Sequence, residues 1–127
     1  MLLQGILRKK GLFFFNERVV TLSRDGIMNY YHFDKPGMVK GNIDLTSQQI
    51  HSVSFIYAGA QSRASSALKQ ARPAPHVDDE FRITLANREN FIFRASKINP
   101  QQGHVNASIE QWEHEIRRFT TKVRLGI

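Results

Sequence analysis

The feature that most limits what this chain can become is a single change in hydrophobic period. Up to residue 95, apolar side chains recur at every second position in short runs broken by turn residues. From Ile109 the spacing becomes 3.6 and holds to Val123. A period of two places alternate residues on one face of a strand, and a period of 3.6 places them on one stripe of a helix. The strand-like runs are Leu2–Lys10, Arg18–Ser23, Ile27–Phe33, Lys40–Leu45, Gln49–Phe55, Phe81–Leu85 and Phe91–Ala95. Arg24-Asp25-Gly26, Asp34-Lys35-Pro36-Gly37 and Asn87-Arg88-Glu89-Asn90 separate them with residues suited to reversals. The fold class that follows is mainly β, a seven-stranded antiparallel barrel or bent sandwich. One end of such a barrel exposes core and needs a lid. The stripe Ile109, Trp112, Ile116, Phe119 and Val123 has the chemistry for it, and Ser108 with Gln111 forms a capping-box pattern at its start.

A chain of 127 residues supports one core, so the expectation is a single domain over 1–127. Residues 57–80 contain little that could pack and read as a long mobile loop, with at most a helical turn over Ser65–Gln70; residues 108–124 form the closing helix. Several functions are excluded by what is absent. There is no cysteine, hence no disulfide, thiolate zinc site or Cys nucleophile. His32, His51, His76, His104 and His114 show no metal-ligand spacing, and no Gly-x-Ser-x-Gly elbow or phosphate-binding Walker loop occurs. No enzyme activity, metal or cofactor is expected. Asp78-Asp79-Glu80 reads as a solvated loop end rather than a cation site. No apolar run approaches a bilayer-spanning length. The opening Met-Leu-Leu-Gln-Gly does not read as a signal peptide, and Leu2 stands where myristoylation needs glycine. The expected compartment is the cytoplasm.

Charge gives the positive indication. Eighteen Lys plus Arg against eleven Asp plus Glu leave a net +7, a surplus that favours polyanionic partners. In an antiparallel meander the connections after strands one, three and six can share one barrel end. Arg8, Lys9, Lys10, Arg18, Lys40 and Arg88 would then converge there. Beside them, Leu12-Phe13-Phe14-Phe15 lies in the first turn, where Gly, Asn, Asp or Ser would be usual. Three successive Phe cannot all face inward, and an exposed apolar patch at a basic mouth suits the acyl boundary of a membrane. Phe13, Phe14 and Phe15 are therefore candidate insertion residues.

Seven strands, a long variable loop and a closing helix carrying Trp112 resemble the pleckstrin-homology (PH) domain. Gly5-Ile6-Leu7-Arg8-Lys9-Lys10-Gly11 resembles its first strand and Arg18-Val19-Val20-Thr21-Leu22 its second. Tyr30-Tyr31 looks like its third-strand tyrosine pair, and Lys40-Gly41-Asn42-Ile43-Asp44-Leu45 like its fourth strand. Lys10-Gly11-Leu12-Phe13, Val39-Lys40-Gly41 and Asn87-Arg88 look most like the PH domain attached to the phosphoinositide-dependent protein kinase. The resemblance implies an inositol phosphate headgroup held between the first two strands by a Lys-x(n)-Lys/Arg-x-Arg pattern. Lys9 matches the motif lysine and Arg18 the final arginine, but Asn16 occupies the middle basic place. Each lost cation removes a charge-assisted contact of about 1.5–3 kcal/mol. By the same resemblance Tyr31 is a hydrogen-bond donor and Lys10, Lys40, Arg88 and Arg8 are supporting cations. The function implied is a module recruiting its parent protein peripherally to anionic membrane lipid, either as a monomer or as part of a larger chain. The alternatives are a protein-recognition module of the same fold and a barrel binding single-stranded nucleic acid. The strand count and closing helix argue against the last, which typically uses a five-stranded barrel.

Overall fold

The computed structural model describes residues 1–35, 37–58, 76–97 and 107–124. Seven strands precede one described C-terminal helix: β1 (Leu3–Lys10), β2 (Phe15–Leu22), β3 (Ile27–His32), β4 (Val39–Asp44), β5 (Ile50–Ile56), β6 (Glu80–Leu85), β7 (Asn90–Ala95) and α1 (Ile109–Arg124). They form one antiparallel sheet in the order β4-β3-β2-β1-β7-β6-β5, curled into a half-barrel. The expected mobile loop falls largely on residues 59–75, outside the described residues, as does the helical turn over Ser65–Gln70.

Alternation decides the core. Leu7, Val20, Leu22, Met28, Ile43, Phe81, Ile83 and Phe93 are all buried on the inner face, at the spacing the strand runs require. α1 completes this core from one end. Trp112 is fully buried and stacks on Phe81 at 6.3 Å, and Phe81 stacks on Phe93 at 5.1 Å. Ile109, Ile116 and Phe119 follow on the same stripe. The capping box forms as read: the Ser108 amide donates to Gln111 Oε1 at 2.8 Å and the Gln111 amide to Ser108 Oγ at 3.2 Å. Gly26, with φ of +87°, closes the β2–β3 turn, and a Cβ there would stand 3.0 Å from the Phe119 ring. Phe119 thus packs over the turn farthest from the β1–β2 connection.

Two sequence expectations need correction here. β2 begins at Phe15, three residues earlier than its alternation suggests, because Phe15 pairs with Lys10 across a four-residue turn. The Gly11 amide donates to the Phe14 carbonyl at 2.7 Å to close that turn. The acidic run 78–80 is not a solvated loop end either, since Asp79 and Glu80 are buried. The Asp79 carboxylate accepts from the amides of Ala58 and His76, each at 3.0 Å, and so ties together the two flanks of residues 59–75. Glu80 accepts from Arg94 Nε at 2.9 Å and Arg82 Nε at 3.0 Å. Burial pushes the Glu80 carboxyl up, but those two guanidinium bonds outweigh it and hold the group below the usual carboxylate range.

Candidate functional site

The register settles which loops are neighbours. Lys10 pairs with Phe15, Arg18 with His32, and Lys9 with Phe93. The β1–β2, β3–β4 and β6–β7 connections therefore lie at one end of the barrel, opposite Phe119 and the Gly26 turn. At this open end a cavity of about 340 Å³ is lined by Lys9, Lys10, Gly11, Leu12, Asn16, Arg18, Tyr30 and Lys40. That volume lies at the lower end of the range for small-molecule sites.

Each cation arrives by a local rule. Lys9 continues the inward face of Gly5 and Leu7 past the end of the core. Arg18 does the same on β2, two residues before Val20. Lys40 comes by a different route. Strict alternation with Gly41 and Ile43 puts it on the outer face, but Tyr30 pairs with Gly41 and Tyr31 with Val39, leaving Lys40 as the extra residue of a β-bulge. A bulge re-aims a side chain, and this one brings Lys40 to the cavity wall.

Aromatic rings form the floor beneath Lys9. Its Nζ lies 4.9 Å from the Tyr30 ring centroid and 5.6 Å from that of Phe91, a cation–π arrangement. Tyr30 lies across the backbone of Gly41, where an added Cβ would overlap its hydroxyl; this explains the glycine in the β4 word. Burial, with help from Glu89, raises the Tyr30 phenol. Desolvation, then the charges of Arg18 and Lys40, hold the Lys9 ammonium below its ordinary value against the pull of Glu89. His32, beside Arg18 in register, is lowered by desolvation and then by Lys40, Arg18 and Lys35, with Asp34 opposing.

No carboxylate lines the cavity. Among the described residues, no ion pair engages Lys9, Lys10, Arg18 or Lys40; Arg18 Nη1 donates only to the neighbouring Glu17 carbonyl at 2.9 Å. Like charges gathered at a cavity whose lining holds no carboxylate make its potential positive, which suits an anion rather than a cation. A larger hollow of about 580 Å³ lies between Leu3 and α1, but Glu110, Glu113 and Glu115 line it and give it the wrong sign.

The other expected site residues lie elsewhere. Arg8 is buried on the outer face, where its Nε donates to the Ala95 carbonyl at 2.7 Å, its Nη2 donates to the Val77 carbonyl, and Asp78 lies 3.6 Å away. It is occupied by the chain's own groups. Phe15 is also on that face, beneath the Arg94 guanidinium at 4.3 Å, rather than at the loop tip. Phe13 and Phe14 do form the tip, 80% and 74% exposed, with Leu12 beside them. Arg88 occupies the β6–β7 turn with a left-handed φ of 72°, at the same end but outside the cavity lining. Tyr31 follows the bulge and is not in the lining; Tyr30 is. The signal for Tyr30 was its spacing of two from the core residue Met28.

No family profile matches the sequence, and no curated protein matches it. Among solved structures it is similar to the C-terminal PH domain of human pleckstrin, at 17% identity over 99% of this chain and 90% of that one, with a TM-score of 0.51. A crystal structure of the carboxyl-terminal PH domain of pleckstrin aligns over 95% of this chain and 90% of that one, at 14% identity and a TM-score of 0.44. The first of these likenesses, with the seven-stranded sheet and closing helix, establishes the PH-domain fold. No described helix is long and apolar enough to cross a membrane.

Proposed function

We propose that this chain is a lipid-binding module that holds the phosphorylated headgroup of an anionic membrane lipid, most specifically a phosphoinositide, in the cavity at the open end of the barrel. The observation that carries this reading is the gathering of Lys9, Arg18 and Lys40 around one cavity without a carboxylate in its lining. A phosphate monoester carries about −1.5 to −2 charges, so a multiply phosphorylated ring matches three convergent cations. Lys9 and Arg18 are the principal phosphate ligands, with Lys10 and Lys40 supporting. Tyr30 takes the donor role first given to Tyr31, and Arg88 reaches the rim from its turn. Arg8 and Phe15 have no part in it. The likeness of the local motifs to the PH domain of the phosphoinositide-dependent protein kinase favours the same ligand class.

Phe13 and Phe14 supply the second signal. Burying one Phe contributes about 1.5–3 kcal/mol, too little alone for stable membrane residence but effective when added to electrostatic attraction. The protein is then recruited peripherally from the cytoplasm. The test is sedimentation with vesicles of varied phosphoinositide content, with soluble inositol phosphates as competitors. Arg18→Ala should weaken binding about tenfold, by loss of one charge-assisted contact, and leave the thermal transition unchanged. Wild-type binding by that variant overturns the site assignment. Equal binding to every polyanion, single-stranded oligonucleotides included, overturns headgroup recognition.

A further inference from the structure

Six of the nine large apolar side chains that stand exposed among the described residues belong to the open end. Leu12, Phe13 and Phe14 form the β1–β2 tip, and Phe33, Met38 and Val39 flank the β3–β4 connection. The second group has no place in the headgroup reading. Met38 and Val39 are each about half exposed and Phe33 slightly less, on the two sides of the reversal Asp34-Lys35-Pro36-Gly37. We propose that the β3–β4 connection is a second membrane-contacting element: Phe33, Met38 and Val39 meet the acyl boundary of an anionic bilayer alongside the Leu12–Phe14 tip. The protein thus docks through two hairpin tips rather than one. This inference rests on the lipid-binding reading above and adds to it the footprint and orientation.

Three observations select a bilayer as the occupant. First, β1–β2 and β3–β4 are adjacent hairpins of one sheet, and their tips lie at the same end as the cation cavity. Second, the two sides of the β3–β4 connection are tied to one another: the His32 amide donates to the Met38 carbonyl and the Met38 amide to the Lys35 carbonyl, both at 3.2 Å. Third, the apolar groups alternate with cations. Lys10 and Arg18 lie beside the first tip, and Lys35 and Lys40 flank Met38 on either side in sequence. Apolar side chains interspersed with basic ones match the layering of acyl chains beneath anionic headgroups. One inserted tip leaves a domain free to tilt about it. Two adjacent tips, with the cation cavity between the hairpins that carry them, turn that cavity toward the headgroup layer.

The absence of cysteine permits clean single-site labelling. Phe14→Cys, Met38→Cys and Lys122→Cys, each carrying an environment-sensitive fluorophore, are to be mixed with phosphatidylcholine vesicles containing phosphatidylserine and a phosphoinositide. Parallel vesicles carry nitroxide-labelled lipid as quencher. The Phe14 and Met38 labels should both shift to the blue and be quenched, while the label on the exposed helix position Lys122 should not respond. In the unlabelled protein, Met38→Ser should lower vesicle partitioning about tenfold and leave binding of soluble inositol phosphate unchanged. A quenched Phe14 label with a Met38 label still in water overturns the second element and leaves the headgroup reading standing. Met38→Ser also overturns it if it binds vesicles like wild type, or if it loses soluble-ligand binding to the same extent. Failure of the wild-type protein to bind any of these vesicles overturns both.

Discussion

At the helix end of the barrel Trp112, Ile116 and Phe119 are buried against the sheet, while at the loop end Leu12, Phe13 and Phe14 stand in solvent. The same contrast holds for charge. On the outer face Arg82 and Arg94 are bonded to Glu80, and Arg8 to the chain's own carbonyls. At the open end no ion pair engages Lys9, Arg18 or Lys40 among the described residues, and desolvation, then the charges of Arg18 and Lys40, lower Lys9 against the pull of Glu89. Adjacent residues of β1 illustrate the difference: Arg8 is consumed by internal partners, and Lys9 is held over aromatic rings facing an open cavity. One end is arranged for the folding of the chain, the other at some expense to it.

The largest expected effect is at the closed end. Trp112→Ala removes the center of the lid and should cost about 3–5 kcal/mol in urea denaturation. Lys9→Met, at the open end, should leave stability unchanged or higher, since it relieves a desolvated and repelled ammonium. If Lys9→Met destabilised the protein as Trp112→Ala does, the contrast between the ends would collapse.

A smaller effect sharpens the same contrast through pH. The His32 pKa in the folded protein lies below its unfolded value, by desolvation and then by Lys40, Arg18 and Lys35, with Asp34 opposing. As pH falls through the unfolded value, the unfolded chain takes up the proton first, so His32 subtracts from stability in acid. A bound polyanion cancels those three cations and raises the His32 pKa, so His32 contributes proton uptake on binding that favours the complex as pH falls from about 7 to 5.5. Because the phosphates titrate in the same range, the measure is the wild type against His32→Gln: the wild-type affinity for inositol phosphate should gain about two- to threefold relative to the variant over that range.

The succession of seven strands and a helix, the capping box and the core face were legible because each rests on a local pattern of residues. Leu7, Val20, Met28 and Trp112 fall where their spacing places them. The misread positions are those where tertiary structure overrides alternation. The run Phe13-Phe14-Phe15 has no period to read, so nothing local marks Phe15 as the first residue of β2. The order of the connections and the family resemblance place Lys40 at the mouth against its own alternation, and it is the bulge at Tyr30–Tyr31 that turns it toward the cavity. Arg8 looked free because its partners, Val77, Asp78 and Ala95, lie far along the chain. Asp79 and Glu80 looked solvated because acidic runs usually are, and their buried amide and guanidinium donors are visible only once β6 and β7 are paired.

The most direct test of the open end as an anion receptor is a map of backbone amide shifts during titration with inositol hexakisphosphate. The expected result is saturable shifts concentrated at Lys9, Lys10, Gly11, Arg18 and Lys40, with the ion-paired cations of the outer face and helix, Arg82, Arg94 and Arg117, unmoved. Shifts centred on those three arginines, or spread evenly over the basic surface, would contradict it.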